Sequence, residues 1–188
     1  MKQRLILVKH SLPAIVEGRS AHEWELSDEG RRRATQLAQR LTRFQPQMVV
    51  SSPEPKAHET AEIVARAHQL DVALWEGLHE HERNNVPYLS PDVFEASVRE
   101  FFQKPDQIVF GNESADQAYE RFAEAVDAVV KWHTGKTVGI VAHGTVISLL
   151  VSRLTGISDF ELWKELGLPS FVVLDLDAKK IIARENNI

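Results

Sequence analysis

The chain has 188 residues, 43% of them hydrophobic, a formal charge of −5 and no cysteine. That length and apolar content suit one domain with a substantial core. The mild negative charge argues against general affinity for nucleic acid or an anionic membrane, and the missing cysteine excludes disulfides, thiol catalysis and thiolate metal sites.

"RLILV" (residues 4–8) reads as a fully buried strand, short and continuously apolar. The apolar run is broken by Lys9, too short for a signal-peptide core, and no run approaches a membrane span. A soluble cytoplasmic protein is the expectation. "SDEGRRRATQLAQRLTRF" follows as a helix with Ser27 as N-cap and Ala34, Leu37, Ala38 and Leu41 on one face; its arginine run, residues 31–33, reads as a solvated face. "QMVVSS" is a second buried strand, after which Pro53 and Pro55 open a helix. "DVALW" is a third strand. "PDVFEASVREFFQ" is a helix, and "SADQAYERFAEAVDAVVKWH" is a longer one with Ser114 and Gln117 as a capping box. "TVGIVA" is a fourth buried strand, followed by the helix "HGTVISLLVSRL". "FVVLDL" and "KIIARE" close the chain as a hairpin turning near Asp177 to Lys179.

Strands alternate with helices, and the strands are continuous apolar runs. The expectation is an α/β fold with a mostly parallel central sheet and helices on both faces, a three-layer αβα arrangement. Residues 1–188 form a single domain in this reading, with 76–112 as a candidate lid or subdomain beside the sheet.

In such a sheet, ligands bind beyond the carboxyl ends of the strands. The first strand delivers Lys9 and His10 there. The second delivers Lys56, the third the run His79, Glu80, His81 and Glu82, and the fourth His143 with Gly144 at a helix start. Helix N-termini near Lys56 and Gly144 add free N–H groups that favour anions. Two histidines, two lysines, a carboxylate and two helix starts on one edge suit a phosphate.

The same segments resemble the histidine phosphatase superfamily, the phosphoglycerate-mutase-like group. Its Arg-His-Gly after the first strand is matched by Lys9-His10-Ser11, and its Leu-Thr-x-x-Gly by "LSDEG", residues 26–30. Its Ser-Ser-Pro-x-x-Arg-Ala-x-x-Thr-Ala is matched by "SSPEPKAHETA", with Lys56 at the Arg position. Leu78-His79-Glu80 matches its Leu-x-Glu, and "VAHGTVI" its Val-x-His-Gly.

The resemblance implies a phosphatase that hydrolyses a small phosphorylated substrate without metal or cofactor. His10 attacks phosphorus and forms a phosphohistidine. Lys9, Lys56 and His143 lower its pKa and stabilise the transferring oxygens. Glu80 enters protonated, gives its proton to the leaving oxygen and later takes one from water. Ser11 and Gly144 complete the substrate contacts.

Two departures stand out. Lysine replaces both pocket arginines, exchanging planar forks for point charges, and the loop at residues 12–18 lacks the asparagine often found there in the family. Three other readings stay open: a phospho-ligand-binding protein with little or no turnover, a phosphoglycerate-mutase-type phosphotransferase, and a metal hydrolase built on His79 and His81. Selectivity is expected in residues 12–24 and 82–112, where Arg19, His22 and Arg83 are candidates for a second anionic group. Oligomeric state is not legible.

Overall fold

The computed structural model describes residues 3–188. In chain order the elements are β1 (Arg4–Lys9), α1 (Asp28–Leu41), β2 (Met48–Ser51), α2 (Pro55–Ala67), β3 (Val72–Leu74), α3 (Pro91–Gln103), α4 (Ala115–Trp132), β4 (Val138–Ala142), α5 (Gly144–Thr155), α6 (Asp159–Glu165), β5 (Ser170–Asp175) and β6 (Lys180–Glu185).

Successive side chains of a strand point to opposite faces, and in β1 both faces are buried. Leu5 and Leu7 join a cluster with Ile140 of β4, Phe122 and Val126 of α4 and Ile147 of α5. Ile6 and Val8 join another with Val49 of β2, Leu37 and Leu41 of α1 and Ala61 and Val64 of α2. The unbroken apolar runs are therefore strands covered on both sides. The three-layer expectation holds.

The sheet has six strands in the order β3-β2-β4-β1-β5-β6. The first four are parallel. The closing pair, β5 and β6, forms the expected hairpin and runs antiparallel on one edge.

Helix starts follow their caps. Ser27 Oγ accepts from Gly30 N at 3.0 Å, and Ser114 and Gln117 form the capping box of α4. Gly30 has a second role: a Cβ there would lie 2.1 Å from the Leu12 carbonyl oxygen. The segment after β1 is thus pressed directly onto α1. Helix α6, capped by Ser158, has no counterpart among the elements expected from the sequence. It has only seven residues, about two turns, too few to show a periodic pattern. With Phe101 and Phe102 of α3, its Phe160 builds a third cluster against Ala115 and Ala118 of α4, beside the sheet.

One register sets the position of two histidines. β1 and β4 are parallel neighbours with Lys9 opposite Ala142, and His10 N donates to Ala142 O at 3.0 Å. The next residues on the two strands, His10 and His143, leave the sheet side by side.

Candidate active site

His10 and His143 stand 5.1 Å apart, centroid to centroid, at 62°. Nδ1 of His10 lies 2.7 Å from the Ser11 carbonyl oxygen. A carbonyl only accepts, so Nδ1 carries the proton and Nε2 keeps the lone pair. Burial, then His143, Lys56 and Lys9, hold the imidazole pKa well below its ordinary value, against the Ser11 contact. The ring is neutral at pH 7.

His143 Nε2 lies 2.8 Å from Ser52 Oγ and 3.3 Å from Glu54 Oε1, while its Nδ1 is buried with no partner among the described residues. Burial lowers its pKa to about 4, although Glu54 and Glu80 favour the charged form.

Lys56 is buried in the first turn of α2. Its Nζ donates to the Ala21 carbonyl at 2.6 Å and to the Glu54 carboxylate. Glu54 Oε1 also lies 3.1 Å from His22 Nδ1 and accepts from Glu80 N at 2.7 Å. Burial favours the neutral acid, but His143, His22 and Lys56 outweigh it and hold the Glu54 carboxyl well below the usual range.

Glu80 accepts from His81 N at 2.9 Å, Thr145 N at 3.2 Å and Val146 N at 3.4 Å. Burial again pushes its pKa up. Arg83, His143 and the His81 N–H push harder the other way, to about 2. Lys9 Nζ donates to the Leu166 carbonyl at 2.6 Å. Its stem crosses the start of α5, where a Cβ on Gly144 would lie 3.1 Å from Lys9 Cε. Burial lowers the Lys9 ammonium to about 8, with Glu80 opposing.

The family model for the histidine phosphatase superfamily (branch 1) matches residues 5–188. The chain belongs to that superfamily. Phosphoserine phosphatase 1 of Hydrogenobacter thermophilus is 25% identical over 98% of this chain and 92% of its own length. Phosphoglycerate mutase-like protein 4 of Arabidopsis thaliana is 31% identical, over 69% of this chain and 60% of its own length. Phosphoserine phosphatase of Entamoeba histolytica, solved with 3-phosphoglyceric acid, superposes with a TM-score of 0.78 at 20% identity, covering 97% of this chain and 96% of that one. This last likeness concerns the fold.

Within this histidine phosphatase, His10, His143, Lys9, Lys56, Glu80 and Gly144 gather at one sheet edge, as their strand-end positions imply. Two expectations need correction. The hydroxyl of Ser11, expected on the phosphate, donates to the Gly30 carbonyl at 2.7 Å and is fully buried; its backbone N–H goes to Thr60 Oγ1 at 3.0 Å. It ties the His10 turn to α1 and α2. The start of α5, expected to attract the phosphate, holds the Glu80 carboxylate.

His79 and His81 part company. His79 faces Glu82 at 3.2 Å, whereas the His81 ring packs on Phe101 and Phe110 and its Nε2 meets the Glu113 carbonyl. Among the described residues they form no shared ligand set.

Three residues of the site are not marked as such by the sequence. His22 reads there only as a candidate for a second anion, yet it touches Glu54. Glu54 lies between two prolines, and an acid two residues before a phosphate-site lysine is the available signal. Arg121, on α4, donates to the carbonyls of Gly77, His79 and Glu80 and to Glu113, clamping the turn that carries Glu80. Nothing local marks it, because its carbonyl partners lie about forty residues earlier in the chain.

Proposed function

We propose that the protein hydrolyses small phosphate monoesters through a phosphohistidine on His10 Nε2. One observation carries this reading: a neutral imidazole whose tautomer, set by Ser11 O, leaves Nε2 as the nucleophile beside His143 and two ammonium groups. In the first step Nε2 bonds to phosphorus and the ester P–O bond breaks. Lys9 and Lys56 balance charge on the transferring oxygens, and the leaving oxygen takes a proton from Glu80. In the second step water bonds to phosphorus, the N–P bond breaks, and the proton returns to Glu80.

Glu80 is ionised without substrate. A phosphate dianion beside it and Glu54 raises the pKa of both carboxyls by like-charge repulsion. A proton taken up with the substrate loads Glu80 for the first step. Residues 76–112 form the wall carrying Glu80 and act as the lid. The cytoplasmic location expected from the sequence belongs to the same proposal.

Denaturing quench during turnover should trap one phosphoryl group on wild-type protein and none on His10→Ala. A trapped phosphoryl group on another residue, or full turnover without His10, removes the mechanism. A second reading, phospho-ligand binding without turnover, is favoured by the pairing of Lys56 with Glu54. Binding of an aryl phosphate with no phosphate release would select it. Transfer of the phosphoryl group to a phosphoglycerate in preference to water would select the mutase reading.

A further inference from the structure

Beside the His10 cluster lies a cavity of about 360 Å³, walled by the segment after β1, the segment before α3 and the first turn of α3. It meets the cluster at two contacts, and a third wall residue acts on it through charge. Ala21, on its wall, gives its carbonyl to Lys56. His22 touches Glu54. Arg83, also on the wall, helps lower the Glu80 pKa through its charge. A group bonded to a phosphate held by Lys56 and His10 therefore has this cavity as its neighbour.

Its lining is mostly apolar, with Glu17, Arg19 and Arg83 as its charged members. Trp24, Val86, Leu89 and Phe94 are among the lining residues. At its rim Ile15 is 59% exposed and Tyr88 is 74% exposed, so apolar surface is left in water there. Arg83 is held over the Phe94 ring, 5.1 Å from its centroid. Arg83 therefore places a positive charge on an otherwise largely apolar wall.

We propose that this cavity is the leaving-group subsite. It selects phosphate monoesters whose alcohol part is a ring-sized apolar group bearing a carbonyl or carboxylate, over small polar acids such as phosphoserine. The proposal rests on the phosphatase reading. The ring covers Ile15 and Tyr88, and the acceptor pairs with the guanidinium charge of Arg83 on the cavity wall. The volume suits one or two fused rings, near the lower end of small-molecule sites.

The test uses wild-type protein and phosphonates, which are not hydrolysed. Calorimetry compares naphthylmethylphosphonate, the same compound with a ring carboxylate, and the phosphonate isostere of phosphoserine. The naphthyl compound should bind at least about tenfold tighter than the isostere. The carboxylate should tighten it further, and Arg83→Gln should abolish that increment. Ile15→Asp, at an exposed position, should shrink the naphthyl-to-isostere ratio. An isostere that binds as tightly as the naphthyl compound, or a ratio untouched by Ile15→Asp, overturns the subsite. Turnover of para-nitrophenyl phosphate by wild type is read separately. Naphthyl preference without turnover keeps the subsite and removes the phosphatase reading; turnover without naphthyl preference does the reverse.

Discussion

Glu54 and Lys56 form a buried ion pair across the first turn of α2, each side chain only 6% exposed. The carboxylate that neutralises Lys56 also touches His22 and His143, so it already engages the groups a phosphate would seek. In the proposed mechanism phosphate competes with this internal anion for Lys56.

Glu54→Gln removes that competitor. Affinity for inorganic phosphate should rise about tenfold at pH 7, roughly 1.4 kcal/mol. Stability should fall by about 1–3 kcal/mol, since Lys56 keeps its burial and loses its counter-charge. Calorimetry with phosphate and urea unfolding read the two effects. Unchanged phosphate affinity would mean that Glu54 does not stand in the anion's place.

The Lys9 ammonium, lowered to about 8 by burial, should impose an alkaline limb on turnover. Activity falls as pH rises through 8, because the positive charge beside His10 is lost. Lys9→Arg should move that limb upward, since guanidinium stays charged. Stability runs the other way. Between pH 8 and 10.5 the unfolded chain binds this proton and the folded chain does not, so this group's contribution to stability rises with pH across that window. A rate profile flat from pH 7 to 10 in wild type would remove Lys9 from the phosphate step.

Glu80→Gln tests the proton donor through the leaving group. Para-nitrophenolate departs readily without a proton, and an alkoxide does not. Turnover of alkyl phosphates should drop by about 10²–10⁴, while para-nitrophenyl phosphate loses far less. Equal losses on both would leave Glu80 only its contacts to Thr145 and Val146 at the start of α5.

Ser11→Ala separates structure from chemistry. The hydroxyl serves Gly30, so its loss should cost about 0.5–1.5 kcal/mol of stability and leave phosphate affinity within about twofold, less than the tenfold that 1.4 kcal/mol represents. A tenfold weaker phosphate complex in a fully stable variant would restore Ser11 to the binding set.

Much of this protein is written in local chemistry along the chain. Burial on two faces demands unbroken apolar strands, and β1 and β4 have them; Ser27 and Ser114 cap helices because their hydroxyls reach backbone N–H groups one turn on. The positions of His10 and His143 at strand ends place both at one edge. What the linear order leaves undecided is which charge meets which. Glu54 and Glu80 sit 26 residues apart yet share a bond, and Glu80 caps a helix that begins at residue 144. Those pairings depend on loops folded over a sheet whose strand order puts β4 between β1 and β2. Electrostatic energies change steeply over a few ångströms, and only packing sets distances on that scale.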